Sequence, residues 1–300
     1  MDNCERAARL TAEMERVSAL LESYLERVIP SEGLPQQTVA NAMRYSLLGG
    51  GKRIRPFLLL ACHRMCKGEE RQALPLAAAL EMIHTYSLIH DDLPCMDNDD
   101  YRRGRPTNHK VFGETMAVLA GDGLLTAAFE TALSADLAPQ RLLGAVRELG
   151  RAAGLYGMLG GQSIDVESEK NQKPLDEEQM AQMYAMKTGA LLSGACRIGF
   201  VAAGVEDERL EAVTVYAREI GLTFQIVDDM LDRVGEFEAL GKPIGSDEKN
   251  NKTTFATLYS IEQCRLLAQQ HTQAAIEATS NLPDSELLVA LAEFLLHRNK

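Results

Sequence analysis

Apolar residues recur at intervals of three and four positions through almost the whole chain. Alternating or β-branched runs long enough for strands are absent, so the pattern predicts an all-α fold. All ten prolines fall near breaks in the pattern and divide it into roughly ten helices. The predicted helices cover about residues 2–28, 36–48, 55–66, 73–92, 114–134, 140–166, 176–203, 207–235, 252–280 and 284–298.

No linker or internal repeat divides these helices, and we expect one domain over residues 1–300. The connections that carry unusual chemistry are three polar loops at 49–56, 94–113 and 235–252. Each of them joins a helix to glycines or to charged residues. The loops are therefore the first places to look for a site.

Composition excludes several classes of protein. With 46% hydrophobic and 25% charged residues the chain is typical of a globular protein, and its net charge of -12 argues against nucleic-acid or anionic-lipid partners. Six cysteines without CxxC spacing predict reduced thiols and a cytoplasmic protein. The N-terminus lacks the layout of a signal peptide, and Arg197 interrupts the most apolar stretch, so no membrane span is expected.

An aspartate cluster lies inside an apolar helix near the end of the chain. Asp228 and Asp232 differ by only about 40° around a helix axis, so their carboxylates share one face, and Asp229 lies between them. Like charges one turn apart require a cation or basic side chains nearby. Hard carboxylate oxygens of this kind suit magnesium.

An earlier cluster contains Asp91, Asp92 and Asp97. On a regular helix Asp91 and Asp97 would be about 240° apart. Because Pro94 lacks an amide proton, we expect Pro94 and Cys95 to bulge out and return Asp97 to the face of Asp91. A solvated helix end explains one such pair as well, but two clusters favour a magnesium site that binds phosphate oxygens.

Two basic groups accompany the acids. The first group consists of Lys52, Arg53 and Arg55. Three glycines precede it, and glycines would let a ligand approach the backbone closely. The second group follows the first aspartate cluster and consists of Arg102, Arg103 and Arg105. A guanidinium group can bind two phosphate oxygens at once, so acids beside arginines favour a metal and diphosphate site. Solvated surface charge is the alternative for either basic group alone.

Four motifs occur in one order: GGGKRIRP, EMIHTYSLIHDDLPCMDNDDYRRGRPTNH, MYAMKTGALL and FQIVDDMLD. From about residue 40 to 260 the chain resembles the short-chain trans-isoprenyl diphosphate synthases. The two-residue insertion in the first aspartate motif is similar to the bacterial farnesyl diphosphate synthase (geranyltranstransferase) pattern, which many plant-type geranylgeranyl diphosphate synthases share. The resemblance implies a helical bundle around a central cavity, the isoprenoid synthase fold, and usually a homodimer.

The resemblance also implies the reaction: isopentenyl diphosphate condenses head-to-tail with dimethylallyl or geranyl diphosphate, giving (2E,6E)-farnesyl diphosphate. The implied cofactor is Mg²⁺, about three ions per site. The implied metal ligands are Asp91, Asp97 and Asp228, supported by Asp92, Asp229 and Asp232. The implied isopentenyl diphosphate-binding residues are Lys52, Arg55, His84 and Arg103. The implied allylic diphosphate-binding residues are Arg102, Lys187, Thr188, Gln225, Lys242 and Lys252. Of these, Asp91, Asp92, Asp97, Arg102, Lys187 and Asp228 are the implied catalytic residues.

Helical spacing independently supports two of these assignments, because His84 precedes Asp91 by seven residues and Gln225 precedes Asp228 by three. A histidine satisfied within the core is the alternative for His84. Gln162 and Asp165 are expected only to line the cavity.

Product length is expected to depend on the residues about one turn before Asp91, because the growing apolar tail must run into the bundle. Ser87 leaves room there, and Tyr86 would form a floor. An aromatic five positions before the first aspartate resembles the farnesyl pattern; plain core packing of Tyr86 is the alternative.

Other functions stay open at this point. A geranylgeranyl diphosphate synthase would use the same chemistry with a deeper pocket. A terpene cyclase also binds magnesium through aspartates, but it would not need the GGGKRIRP site for a second diphosphate. A catalytically silent partner subunit could have lost its aspartates, whereas this chain keeps both clusters.

Overall fold

The computed structural model describes residues 3–170, 175–234 and 253–298. The first part contains α1 (Asn3–Val28), α2 (Gln37–Leu47), α3 (Ile54–Met65), α4 (Glu70–Asp91), β1 (Tyr101–Arg102), β2 (Arg105–Pro106), α5 (Asn108–Phe112) and α6 (Glu114–Leu133). The rest contains α7 (Pro139–Ala153), α8 (Met158–Lys170), α9 (Glu177–Tyr184), a π-helical turn (Ala185–Gly189), α10 (Ala190–Ala203), α11 (Glu208–Val234), α12 (Phe255–Leu258), α13 (Ile261–Ala278) and α14 (Glu286–His297). The predicted all-α class is confirmed.

Three predicted helices are interrupted. The helix predicted over 140–166 ends at Ala153, because Gly154 takes an extended conformation, and α8 begins at Met158. The helix predicted over 252–280 falls into α12 and α13, where the side chain of Ser260 caps the second helix. The π turn breaks the helix predicted over 176–203. Apolar spacing continues through each break, so periodicity alone did not reveal them.

Two further predictions were wrong. Pro75 lies inside α4, in its second turn, so not every proline marks a break. The loop predicted over 94–113 contains a short antiparallel hairpin, in which Arg102 pairs with Arg105, and then α5. These strands are only two residues long, which is too short for a visible alternation.

Helix α4 lies at the centre of the bundle. It packs along α6 and α3 and also contacts α10, while α10 in turn packs on α7, α3 and α11. The apolar side chains of α4 are therefore buried on most sides, in a core that extends from α1 to α14. This packing fixes the ends of α4 and α11, where both aspartate clusters lie.

Helix α6 is the one helix in the described ranges that is long and apolar enough to cross a membrane by length and composition. It spans 20 residues, with a mean hydropathy of 1.3 over its most apolar window. In the fold it packs against α4 and α2. Core helices often have this composition, so the feature is weak evidence for a membrane.

Candidate active site

The second basic group lies on a tight hairpin turn. Arg103 and Gly104 connect β1 to β2, and both have positive φ angles, 53° and 72°, as a two-residue type I′ turn requires. Tyr45 of α2 anchors the hairpin: its hydroxyl donates to the carbonyl oxygen of Pro106 at 2.8 Å, and the Arg105 guanidinium lies 4.2 Å from its ring centre. The turn thereby holds Arg103 in a defined position beside the bundle.

The glycine loop before α3 packs directly on Arg103. Gly51 has a φ of 138°, and a Cβ atom there would lie 2.8 Å from Cζ of Arg103. The guanidinium Nη1 of Arg103 also donates to the carbonyl oxygen of Gly50. The backbone conformation requires glycine, and any larger residue would also displace the Arg103 guanidinium. The bond between Gly50 and Arg103, which are 53 positions apart in the chain, therefore joins the two basic loops into one surface.

A cavity of about 620 Å³ opens at this surface. Its lining includes all four residues predicted to bind isopentenyl diphosphate, together with side chains of α10 and α11. The lining residues are Gly49, Gly51, Lys52, Arg53, Ile54, Arg55, Glu81, His84, Arg103, Thr188, Leu192 and Phe224. Cationic loops at its entrance and apolar side chains from the helices suit a ligand with an anionic head and an apolar tail.

The cations around the cavity lower the pKa values of their neighbours. Burial lowers the pKa of Arg55 to about 10, and the nearby Arg103 contributes in the same direction. Burial and the same guanidinium groups hold the pKa of His84 well below its usual value, so its imidazole is neutral at pH 7. A concentrated positive field of this kind favours an anion in the cavity.

Glu81 of α4 compensates part of this charge. Its carboxylate Oε1 accepts from Nη1 of Arg53 at 2.6 Å, and both side chains are buried. Arg53 has a positive φ of 49° and also donates to the carbonyl oxygen of Leu47 at 2.8 Å. The left-handed backbone thus turns Arg53 to the interior, where the ion pair fixes the loop on α4.

The first aspartate cluster lies where α4 ends. The expected bulge in a continuing helix does not form; instead the helix ends at Asp91, and the amide of Asp97 donates to the carbonyl oxygen of Asp91 at 2.9 Å. This turn returns the chain to the helix end. The pKa of Asp91 is raised to about 6, chiefly by burial; the charge of Asp97 acts in the same direction, and that of Lys187 acts against it.

Asp92 is buried and bonded to the hairpin. Its Oδ1 lies 2.7 Å from both Nε and Nη2 of Arg102. Burial nevertheless raises the pKa of Asp92 to about 6, while Arg102 acts in the opposite direction. Asp92 therefore holds Arg102 in place beside Asp91.

The π turn carries Lys187 and Thr188. The ammonium group of Lys187 lies 2.5 Å from Oδ2 of Asp165 on α8, and its charge also lowers the pKa of Asp91. The hydroxyl of Thr188 donates to Oε1 of Gln225 on α11 at 2.6 Å. The extra residue of a π turn changes which side chains face a neighbour. Here the π turn places Lys187 beside Asp165 of α8 and near Asp91 at the end of α4, and Thr188 beside Gln225 of α11.

Gly161→Ala is expected to weaken binding of an allylic diphosphate and to destabilise the fold by about 1–3 kcal/mol. A Cβ atom on Gly161 would overlap the backbone nitrogen of Lys187 and lie 2.6 Å from its Cα atom, so the π turn would have to move. The measurements are KM for the allylic substrate and denaturant-induced unfolding.

Gly150→Ala is the matched control on α7. A Cβ atom there would meet nothing closer than Cε1 of Phe129 at 3.9 Å, so helix propensity should stabilise this variant slightly. Equal effects of the two substitutions would contradict the steric argument.

The second aspartate cluster does not present three equivalent carboxylates. Asp228 keeps 42% of its side chain exposed and pairs with Arg298 at 2.7 Å. Asp229 is buried; it accepts from the hydroxyl of Tyr184 at 3.0 Å and from the amide of Phe255 at 2.8 Å. Asp232 is buried as well. Asp229 therefore connects α11 to α9 and α12.

No group of three histidine, cysteine or carboxylate side chains converges on a metal-sized site within residues 3–170, 175–234 and 253–298. The donor set nonetheless fits a hard cation in chemistry, because buried carboxylates with raised pKa values gain from a positive charge. Lys242 and Lys252, two predicted ligands of the allylic diphosphate, lie outside the described residues.

Tyr86 and Ser87 lie in the last two turns of α4. The ring of Tyr86 is buried and meets the His90 ring edge-on, with centroids 5.8 Å apart. The hydroxyl of Ser87 donates to the carbonyl oxygen of His84 at 2.9 Å, within its own helix.

Sequence reasoning gave no specific role to two residues that contact the predicted site. Asp165 was expected only to line the cavity, yet it pairs with Lys187. Arg298 has no role predicted from the sequence, although it pairs with Asp228. For Asp165 the sequence did contain a signal, because the segment GlyGlnSerIleAsp at 161–165 resembles a segment of the family. Near Arg298 the sequence contains no such signal.

The chain is similar to proteins of known type. A family model described as polyprenyl synthetase matches residues 36–290. A farnesyl diphosphate synthase of Geobacillus stearothermophilus is 42% identical over 97% of both chains. A protein named putative geranylgeranyl pyrophosphate synthase 8 of Arabidopsis thaliana is 48% identical over 87% of this chain and 74% of its own. The crystal structure of a FPP/GFPP synthase from Zymomonas mobilis superimposes with a TM-score of 0.87 and 36% identity, covering 97% of this chain and 99% of that one.

Proposed function

The chain belongs to the polyprenyl synthetase family and is a trans-prenyl diphosphate synthase, and we propose that it makes (2E,6E)-farnesyl diphosphate from isopentenyl diphosphate and dimethylallyl or geranyl diphosphate. The observation that carries this proposal is the arrangement of two cationic groups around one bundle. Lys52, Arg55 and Arg103 border one cavity, and Lys187 lies beside Asp91 and Asp165. A synthase that joins two diphosphates needs two such anion sites.

The first site would take isopentenyl diphosphate. Lys52, Arg55 and Arg103 would bind its phosphate oxygens, and the neutral His84 would donate a hydrogen bond without adding a charge. Because the apolar side chains of Leu192 and Phe224 also line this cavity, the isopentenyl double bond would face the interior.

The second site would take the allylic diphosphate. Arg102, Lys187, Thr188 and Gln225 would bind it, and Lys242 and Lys252 are proposed to join them. Magnesium would be held by Asp91, Asp97 and Asp228, with Asp92, Asp229 and Asp232 in support; it would withdraw charge from the diphosphate. The chain's own contribution is to hold both substrates in register and to stabilise the departing diphosphate with Arg102 and Lys187.

The test is to incubate the purified protein with isopentenyl and geranyl diphosphates, with and without Mg²⁺, and to identify the dephosphorylated products by mass spectrometry. Magnesium-dependent farnesol supports the proposal. Geranylgeraniol as the end product keeps the reaction type and refutes the farnesyl assignment. Absence of any condensation refutes the proposed activity.

Tyr86→Ala is expected to shift the main product from fifteen to twenty or more carbons, because removing the buried ring opens the path along α4. Tyr86→Phe keeps the edge-on contact with His90 and is expected to leave the product unchanged. Products are measured by mass spectrometry after dephosphorylation. An unchanged chain length in Tyr86→Ala would contradict the role of Tyr86 as the floor of the pocket.

A geranylgeranyl product is the second candidate, favoured by the 48% identity with a relative that carries that name. The buried ring of Tyr86 argues for the shorter product, since a longer chain needs space beyond it. The same product assay separates the two candidates.

We further propose a homodimer. Val118 and Leu119 of α6 are 40% and 46% exposed, which leaves apolar surface on one side of this helix. A second copy of the chain would cover that surface. Light scattering coupled to size-exclusion chromatography tests the proposal, and a monomer at micromolar concentration would contradict it.

We also propose a cytoplasmic location. All six cysteines are free thiols, as a reducing compartment would keep them. Fractionation of cells that express a tagged copy tests this proposal, and recovery in a membrane fraction would contradict it.

A further inference from the structure

Arg298 follows α14 and reaches across to α11. Its guanidinium Nη2 lies 2.7 Å from Oδ1 of Asp228 and donates to the carbonyl oxygen of Phe224 at 2.7 Å. The guanidinium carbon lies 3.8 Å from the centre of the Phe224 ring. Only 3% of the arginine side chain is exposed. Arg298 is therefore a buried side chain held by several contacts rather than a mobile cation on the surface.

The two acceptors are one helical turn apart, at positions 224 and 228 of α11. A single guanidinium nitrogen carries two protons, and here each has its own acceptor. The contacts to Phe224 do not involve the carboxylate, so they hold Arg298 whether or not Asp228 binds something else. A partner that is fixed independently restricts the rotation of the Asp228 side chain.

Asp228 stays accessible although Arg298 holds it. A carboxylate has two oxygens with about four acceptor positions, and Arg298 contacts Oδ1. The side chain of Asp228 is 42% exposed, whereas that of Arg298 is buried behind it. Asp228 can therefore bind a cation from the exposed side while the arginine keeps the carboxylate in one orientation.

Phe224 connects the same arginine to the cavity. Its ring lines the cavity that holds Lys52, Arg55 and His84, and Arg298 covers this ring. A guanidinium stacked on an aromatic ring fixes the position of that ring. Arg298 thus contacts a wall of one predicted substrate site and a predicted metal ligand of the other.

We propose that Arg298 is a positioning residue, which orients Asp228 for a divalent cation through its contacts with Oδ1 and with Phe224. The inference rests on the proposed function, in which Asp228 binds that cation. Partners that hold a ligating carboxylate typically contribute about 10–100-fold to metal affinity. If Arg298 were only a counter-charge to Asp228, its removal would strengthen metal binding, because a neighbouring cation repels a metal ion.

The test is a titration of the full-length protein with Mn²⁺ in the presence of inorganic diphosphate, followed by electron paramagnetic resonance. Arg298→Met is expected to weaken Mn²⁺ binding by about 10–100-fold. Arg298→Lys keeps the charge without the planar fork and is expected to recover only part of the affinity. Unchanged or tighter binding in Arg298→Met would overturn the proposal.

Two controls separate the possible failures. Arg197→Met removes a comparable arginine, which pairs with both oxygens of Glu148 at 2.7 and 2.9 Å, and is expected to leave Mn²⁺ affinity unchanged. Asp228→Asn is expected to weaken Mn²⁺ binding itself; if it does not, the proposed metal role of Asp228 fails and the inference on Arg298 fails with it.

Circular dichroism spectra and melting curves verify that each variant is folded. If Arg298→Met does not fold, Arg298→Gln replaces it with a neutral side chain that keeps a hydrogen-bond donor. Weaker Mn²⁺ binding by Arg298→Gln supports the positioning role, and wild-type affinity overturns it.

Discussion

Asp91→Asn is expected to lower the rate of condensation by about 10³-fold with little effect on folding. The substitution keeps the shape of the side chain and removes its charge. Asp91 lies where the fields of Asp97, Asp165, Lys187 and Arg102 overlap, and burial raises its pKa to about 6. A carboxylate at this position is costly without a cation, which is the situation expected of a metal ligand.

The measurement is single-turnover condensation at saturating Mg²⁺, with far-ultraviolet circular dichroism as a check on the fold. Asp100→Asn is the matched control, because Asp100 is an exposed acid of the following loop and pairs with Lys110 at 2.7 Å. This control should retain activity within about twofold of wild type, as surface pairs contribute little. Equal activity of Asp91→Asn and wild type would remove Asp91 from the catalytic residues.

Glu81→Gln is expected to destabilise the protein by about 3–5 kcal/mol, the usual cost of removing one partner of a buried ion pair. Glu81 and Arg53 are 2% and 3% exposed, and their polar atoms are 2.6 Å apart. The Glu81 charge also raises the pKa of Arg55 and of Arg103. Its loss would leave several neighbouring cations uncompensated around the cavity.

Urea denaturation followed by circular dichroism measures this effect as a shift of the transition midpoint at constant slope. Glu69→Gln is the control of the same chemistry, because Glu69 pairs with Arg71 at 2.8 Å while both side chains are more than half exposed. That pair should contribute less than about 1 kcal/mol. A Glu81→Gln midpoint as close to wild type as that of Glu69→Gln would contradict the structural role of the buried pair.

The sequence predicted the fold class because apolar spacing is a local property of each helix. It predicted α1 and α11 to within one or two residues. It joined α7 to α8, since the same spacing continues across Gly154 and Gly157. The hairpin was not predicted because an arginine precedes the glycine in its turn, where asparagine or aspartate is the usual signal.

Residue order also predicted which side chains surround the cavity, because the motif residues Lys52, Arg55, His84 and Arg103 all line it. The family resemblance assigned Arg55 and not Arg53 to the ligand, but the residue pattern by itself gave no reason to separate these two arginines of one motif. The left-handed conformation of Arg53 turns that side chain to Glu81. A backbone angle of this kind is imposed by the surrounding packing rather than by arginine itself.

By itself, the sequence determined the helical fold class, the identity of the charged groups and the order in which they occur. The tertiary structure alone decided that Asp165 pairs with Lys187 and that Arg298 pairs with Asp228. These partners are 22 and 70 residues apart in the chain. Such pairs form only when whole helices pack, because helical periodicity relates a residue to its neighbours within a turn or two and contains no information on the partner helix.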